Sequence, residues 1–166
     1  TRCSLVDINE FSVVFEDDFE TYSNNAAVFG GWTNYKEAGS RAWQIKTTAD
    51  SQNLDSKTVR ISAYSSGDSS NIAWLITPSF DLDAERDAYI NFQSSNSFSD
   101  NSDLELLISR DWDGTEADVL LASWTALPGI IVSDSTSFEM WIDSSDVDLS
   151  AYAGTAYVAF RYTGGG

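Results

Sequence analysis

The sequence predicts an all-β fold, an antiparallel two-sheet β-sandwich of jelly-roll type. Three observations predict it. Apolar and polar residues alternate with a period of two, turn-rich segments separate the alternating stretches, and no segment places apolar residues at the 3.6-residue spacing of a helix. The chain has 166 residues, of which 42% are hydrophobic, which is enough for one domain with a sizeable core. We expect residues 1–10 to form a linker and residues 11–166 to form this single domain.

The alternation is clearest in the stretches "TVRISA" and "DAYINFQ". In the second stretch every other residue is apolar, and these residues are Ala88, Ile90 and Phe92. The residues between them are predicted to face solvent: Tyr89, Asn91 and Gln93. The same criterion predicts strands over residues 11–16, 41–47, 58–63, 72–77, 87–93, 103–109, 119–124, 137–142 and 156–162. Strands with one solvated face are typical of antiparallel sandwiches. Because the sequence ends on such a strand and three glycines, we expect the last strand of the sandwich to be missing from these residues.

Charge and composition exclude several classes of function. The chain has 26 acidic residues against 9 basic ones, a net charge of -17, and no histidine. So acidic a surface repels nucleic acid and anionic membranes, and we predict neither as a partner. No apolar run approaches the roughly 20 residues of a membrane span. The absence of histidine excludes Ser-His-Asp and Cys-His catalysis, and the single cysteine, Cys3, excludes an internal disulfide.

Several motifs, in this order along the chain, resemble one family: "FEDDFE", "GW", "AWQI", "IAWLITPSFDL", "LELLISRDWDGTEAD" with "ASWTALP", and "VDLSAYAGTAYVAFRYTGGG". They are similar to the choice-of-anchor J modules of secreted and surface proteins from Gram-negative bacteria. Those modules are related to cleaved-adhesin domains and, more remotely, to MAM-type jelly rolls. The resemblance implies a non-catalytic jelly-roll module, appended to enzymes or adhesins, with structural calcium.

The acidic stretch "EDDFE" places Glu16, Asp18 and Glu20 on one face if it forms a strand. We expect Asp18 and Glu20 either to bind calcium, as the resemblance implies for Glu20, or to lie at a solvated strand end. Glu16 and Glu20 are also the candidates for a glycoside hydrolase. A retaining hydrolase needs its carboxyl groups about 5 to 5.5 Å apart, whereas a rise of about 3.3 Å per residue separates these two positions by about 13 Å.

The stretch "RDWDGTEAD" is predicted to be a hairpin turn between strands 104–109 and 119–124. Asp113-Gly114 supplies the positive φ of a tight turn. The spacing of Asp111, Gly114 and Ala122 does not match an EF-hand loop. A weaker calcium site that uses Asp111 and Asp113 remains an alternative, since hard cations accept carboxylate and carbonyl oxygens.

Four tryptophans fall into two groups according to the residues that share their face of a strand. Trp43 and Trp74 are on the same strand faces as isoleucines and are predicted to lie in the core. Trp112 lies in the predicted turn, and Trp141 lies between two acidic residues on the strand face opposite Phe138 and Met140, which are therefore expected to point inward. Trp112 and Trp141 are predicted to be exposed ligand-binding residues. A ring beside carboxylates can hold a sugar, although a rim position or a contact with another domain is the alternative.

From these observations we expect a non-catalytic module that binds carbohydrate or another extracellular polymer. We expect it in the extracellular space or on the outer surface of a Gram-negative bacterium, with other domains of a larger secreted protein as partners. The two alternatives are a structural spacer or docking domain and the glycoside hydrolase considered above.

If calcium is structural, a chelator should lower the melting temperature, because a ligand bound only by the folded state stabilises that state by mass action. A thermal unfolding curve with and without chelator, and again after calcium is restored, measures this effect. Identical curves would show that calcium does not stabilise the fold.

Overall fold

The structure is a computed structural model that describes residues 13–27, 29–48, 55–83, 87–98, 101–133, 136 and 138–165. The predicted linker, residues 1–10, and Cys3 lie outside the described residues. The described part of the chain is all-β, with a single turn of 3₁₀ helix at Glu116–Asp118 and no α-helix. The strands are β1 Thr33–Ala38, β2 Gln44–Thr47, β3 Lys57–Arg60, β4 Asn71–Ile76, β5 Phe80–Asp81, β6 Tyr89–Ile90, β7 Gln93–Ser94, β8 Asp103–Ser109, β9 Thr125–Ala126, β10 Ile142–Asp143, β11 Val147–Asp148 and β12 Thr155–Gly164.

The main sheet has the order β1-β4-β12-β8-β9, and every pair in it is antiparallel. The longest strand, β12, lies in the middle, between β4 and β8. Its first two residues, Thr155 and Ala156, also pair with β5. All twelve strands thus take part in antiparallel pairs, as the alternation of the sequence predicts.

A second layer covers one face of the main sheet with two separate ribbons. The first ribbon is the hairpin β2–β3. The second, which we call the acidic ribbon, consists of residues 87–98 and 138–152 and contains the pairs β6–β11 and β7–β10. Between these pairs Ser144 continues the contact, because its backbone N–H donates to the Phe92 carbonyl and its hydroxyl accepts from the Phe92 N–H, both at 2.9 Å.

The core lies between the main sheet and these ribbons. Under the acidic ribbon, side chains of β8 and β12 such as Ile108 and Val158 are fully buried, and Phe92 meets Phe160 edge to face with 4.8 Å between ring centroids. Under β2–β3 a second cluster surrounds Trp43, which confirms its predicted core position. The architecture is therefore an antiparallel β-sandwich, while the jelly-roll connectivity stays a prediction.

The opposite face of the main sheet is covered by the connection from β8 to β9, residues 110–124, which we call the covering loop. It packs Trp112 and Trp124 over the sheet, where Trp124 lies 5.2 Å from Trp74 between ring centroids. Both faces of β4 are therefore apolar, and five of its six residues are buried. The predicted core position of Trp74 is confirmed.

Beside the covering loop a row of paired residues crosses four strands: Tyr35, Trp74, Arg161 and Glu105. Arg161 Nη1 lies 2.8 Å from Glu105 Oε2, its Nε lies 3.3 Å from Glu37 Oε2, and its guanidinium lies 5.3 Å from the centre of the Trp74 ring. One cation thus ties β1, β4 and β8 to β12.

Several strand predictions were wrong or incomplete. Residues 119–124 form turns of the covering loop and residues 13–16 are irregular. Strand β1 was missed, because "TNYKEA" has few strongly apolar residues and reads as a polar loop. This segment forms a strand because it pairs with the buried strand β4, an interaction that local sequence does not reveal.

The Tyr162 hydroxyl forms hydrogen bonds in the part of the core that lies next to β3. It accepts a hydrogen bond from the Ala63 N–H at 3.1 Å and lies 2.8 Å from the Ser102 hydroxyl. Tyr162→Phe should lower the free energy of unfolding by about 1 to 3 kcal/mol, because it leaves a buried N–H without its acceptor. Chemical denaturation measures this, with Tyr35→Phe as the control, whose hydroxyl makes no hydrogen bond among the described residues. Equal losses in both variants would contradict this role.

Candidate functional site

Trp112 is buried, not exposed as predicted. It is 5% accessible, its ring centroid lies 4.6 Å from that of Tyr157, and its indole N–H donates to the Thr115 carbonyl at 2.8 Å. The prediction assumed a tight hairpin, whereas the covering loop folds back onto the main sheet and carries this ring with it. Trp112 is therefore part of the packing and does not offer a surface for a ligand.

The two aspartates beside Trp112 fix the shape of the covering loop. Asp111 Oδ1 accepts hydrogen bonds from the Ser123 N–H at 2.8 Å and the Ser109 hydroxyl at 2.9 Å, so it joins the two ends of the loop. Asp113 Oδ1 accepts from the N–H and the hydroxyl of Thr115, both at 2.8 Å. Gly114 has the predicted positive φ, 89°.

The acidic stretch near the start of the domain is also used for local structure. Residues 13–18 are irregular, so Glu16, Asp18 and Glu20 do not share the face of a strand as predicted. Asp18 Oδ1 accepts from the Glu20 N–H at 3.0 Å. Glu20 accepts from the Ser56 hydroxyl and from the Lys57 N–H, and these hydrogen bonds, that of Ser56 first, lower the pKa of Glu20.

The four predicted metal ligands are thus Asp18 and Glu20 at one place and Asp111 and Asp113 at another. Each accepts from a different backbone segment, and the described residues contain no group of three or more Asp, Glu, Cys or His side chains that could hold a metal. Neither predicted site, at Asp18 and Glu20 or at Asp111 and Asp113, therefore gathers a third such side chain in the described part of the chain. Structural calcium stays a prediction that chelation tests.

Trp141 is only partly exposed, whereas its neighbours Phe138 and Met140, predicted to point inward, are 60% and 44% exposed. The reason is Glu139, whose φ is 55°, a backbone conformation that a regular strand does not have. Residues 137–142 were predicted to form one regular strand, and that prediction assigned these side chains to the wrong sides. A positive φ at a glutamate leaves no clear signal in the sequence.

The outer face of the acidic ribbon holds a set of polar and aromatic side chains, which we call the acidic face: Tyr89, Asn91, Gln93, Asp143, Asp146 and Asp148. Their sequence neighbours Ile90, Phe92 and Val147 point into the core. Tyr89 is directly opposite Asp148 and Gln93 is opposite Asp143. Opposite residues on one face have Cβ atoms about 4.5 to 5.5 Å apart, so each pair offers one ligand two neighbouring contacts.

The carboxylates of the acidic face accept hydrogen bonds from the ribbon itself. Asp143 Oδ1 accepts from the Ser145 N–H and Asp148 Oδ1 from the Ser150 N–H, both at 2.8 Å. Hydrogen bonding by Ser150 lowers the pKa of Asp148, so this carboxylate stays ionised to a lower pH than an ordinary aspartate. The face therefore presents fixed negative charge beside the Tyr89 ring.

An exposed pair of rings, Phe98 and Phe138, lies at the far end of the acidic ribbon. Their centroids are 5.4 Å apart in an edge-to-face arrangement, although Phe98 is 74% exposed. The two chain segments are joined there by the Glu139 N–H, which donates to the Asn96 carbonyl at 2.8 Å. This pair was not predicted from the sequence, because Phe98 lies in a Ser- and Asn-rich segment and Phe138 was expected to point inward.

The sequence matches no protein-family model, and a comparison with curated proteins found no match. Membership of the choice-of-anchor J family therefore stays a prediction from the motifs. Within the described ranges there is no helix of the length and apolarity that crossing a membrane requires.

Asp111→Asn should lower the melting temperature at neutral pH, since it removes the charge that joins the ends of the covering loop. Hydrogen bonds from the Ser123 hydroxyl and N–H, and then from the Ser109 hydroxyl, lower the pKa of Asp111 below its ordinary 3.8. A lowered native pKa gives stability that is complete above the unfolded-state pKa and is lost as the pH falls through the native one. The difference from wild type should therefore shrink on acidification below 3.8.

Thermal unfolding from neutral pH downward checks this, with Asp81→Asn as a control of equal charge change outside the loop. A difference for Asp111→Asn that stays constant over the whole range would contradict the assignment.

Proposed function

We propose that this protein is a non-catalytic binding module that holds a carbohydrate or another extracellular polymer along its acidic face. The observation that carries the proposal is a solvent-facing ribbon with a Tyr89 ring near one end and the Phe98–Phe138 pair at the other. Exposed aromatic rings beside hydrogen-bonding side chains are a common means of holding sugars. The resemblance to secreted jelly-roll modules supports the same conclusion.

The shape of the ribbon favours a polymer over a small molecule. Tyr89 and Phe98 are nine positions apart along the ribbon, a separation of at most about 30 Å for a fully extended chain. A single small ligand contacts only one end of such a face, whereas a chain of several units contacts both aromatic groups. The outward side chains between them, Asn91 and Gln93, can donate and accept hydrogen bonds to hydroxyl groups.

The hydrolase alternative has less support than the binding module. It requires Glu16 and Glu20 as an acid and a nucleophile held about 5 to 5.5 Å apart. Glu20, however, is engaged with Ser56 and Lys57, and hydrogen bonding lowers its pKa. A general acid needs a raised pKa, so Glu20 is unsuited to the acid role, while its hydrogen bonds to Ser56 and Lys57 hold it in a structural position.

Removing the aromatic groups should weaken polymer binding without unfolding the protein. Tyr89→Ala and the double variant Phe98→Ala with Phe138→Ala should each weaken binding about tenfold or more, because each loses ring contacts with the ligand. Affinity gels containing soluble polysaccharides, or a glycan array, measure the effect. Tyr64→Ala is the matched control, because Tyr64 is 82% exposed but lies in a turn outside the acidic ribbon.

Trp141→Ala tests the residue in the same ribbon that the sequence predicted to bind the ligand. Since Trp141 is partly buried, the melting curve of this variant has to be recorded together with its affinity for the polymer. If no variant changes binding, or if wild type binds no polymer, the proposal fails and the spacer or docking role becomes the better explanation.

A further inference from the structure

We propose that one uncharged sugar unit of the polymer is held in a cleft beside the Tyr89 end of the acidic ribbon. This inference rests on the proposed function and names the class of polymer, a neutral glycan. The cleft has a volume of about 390 Å³, which falls within the usual size range of sites for small ligands. Its lining includes Leu82, Ala88, Leu149 and Tyr152.

The cleft lies between the acidic ribbon and the residues that lead into β12. On the ribbon side, the Leu149 N–H donates to the Ala88 carbonyl at 2.8 Å. On the other side, the Leu82 N–H donates to the Gly154 carbonyl at 2.9 Å. The Gly154 N–H in turn donates to Asp83 Oδ1, also at 2.9 Å. Hydrogen bonds within the protein therefore fix both walls of the cleft, as is usual in preformed ligand sites.

The buried part of the cleft lining is apolar. Leu82 and Leu149 are 7% and 3% accessible and belong to the core cluster under the acidic ribbon. Ala88 and Tyr152 pack against the same cluster. A ligand in the cleft covers this apolar surface, and a sugar ring has carbon–hydrogen groups on its faces that suit such a contact.

The exposed part of the lining is polar and comprises Asp83, Asp87 and Ser150. Carboxylate and hydroxyl oxygens accept hydrogen bonds from the hydroxyl groups of a sugar. The described lining contains no lysine or arginine, so its two carboxylates repel an anionic ligand. A metal ion would use only the carboxylates and leave the apolar part of the lining without a partner. The combination of apolar and accepting groups therefore favours an uncharged sugar.

The cleft adjoins the acidic face directly. Ala88, in its lining, precedes Tyr89, and Leu149, also in its lining, follows Asp148. Tyr89 and Asp148 are opposite each other on the outer face. A glycan chain that lies along the acidic face thus reaches the cleft at this end, and one of its units can enter.

Titrations followed by NMR test the charge of that unit, with glucose, galactose and mannose as probes, each beside its uronate. The members of each pair differ in one carboxylate. We expect at least one neutral sugar to bind about tenfold more tightly than its uronate, because the carboxylates of the cleft repel the added charge. A uronate that binds as tightly as its neutral partner, or no binding of any neutral sugar, would overturn the inference.

Asp87→Asn separates a ligand contact from a structural role. Asp87 has a φ of 57°, which asparagine adopts as readily as aspartate does, so the backbone should be kept. Loss of the charged acceptor should weaken neutral-sugar binding about threefold to tenfold, while loss of the repulsion should strengthen uronate binding. The matched control is Asp55→Asn, an exposed aspartate with a φ of 63° just before β3, which should change neither affinity. Two affinities that move in the same direction in Asp87→Asn would contradict the assignment.

Ser150→Trp places a bulky side chain at the exposed edge of the cleft. It should weaken both neutral-sugar and polymer binding about tenfold or more, because the ring occupies the space of the sugar unit. Ser123→Trp is the matched control, since Ser123 is also exposed and also donates its N–H to an aspartate, but in the covering loop. Melting curves of both variants show whether each is folded.

The outcomes for the cleft and for the proposed function differ. Polymer binding that is unchanged in folded Ser150→Trp would overturn the inference and leave the proposed function standing. Binding of a free sugar by a protein that binds no polymer would remove the proposed function, and with it the claim that the cleft holds a unit of a polymer.

Discussion

The structure depends on the pairing of β12 with β4 on one side and β8 on the other. The stretch from Ala159 to Thr163 pairs with both neighbours at once, so this strand has no free edge there. Its apolar side chains point to both faces, and a sheet that is apolar on both faces must be covered twice. The ribbons cover one face and the covering loop the other, which buries side chains such as Ile76 and Val158 worth about 1.5 to 3 kcal/mol each.

Carboxylates in this acidic chain fix turns and loop ends more than they form ion pairs. Glu20, Asp68, Asp111, Asp113 and Asp148 all have lowered pKa values, in each case chiefly through hydrogen bonds from serine, threonine or backbone N–H groups. A chain with few bases can stabilise negative charge in this way without opposite charges. Serine and threonine residues near these carboxylates therefore stabilise turns and loop ends by hydrogen bonding. The amino-acid composition shows only that such residues are polar.

Period-two alternation was sufficient to predict the fold class and the core positions of Trp43 and Trp74, since burial on one or both faces leaves a direct trace in the sequence. It also placed Tyr89 on the outer face. It failed at Trp112 and Phe138. The first is carried inward by a long loop that packs on a distant strand, and the second is turned outward by the backbone at Glu139. Both depend on conformations that local alternation does not encode, and so the Phe98–Phe138 end of the candidate site emerged only from the structure.

The inner side of the acidic ribbon packs on the rest of the protein through apolar side chains such as Ile90, Phe92, Val147 and Leu149. Folding therefore places few demands on the outward side chains that do not accept a hydrogen bond from a turn. A natural or engineered lineage can exchange those outward residues, altering the groups that the surface presents while the sandwich stays intact. The same scaffold can in this way serve a succession of unrelated ligands.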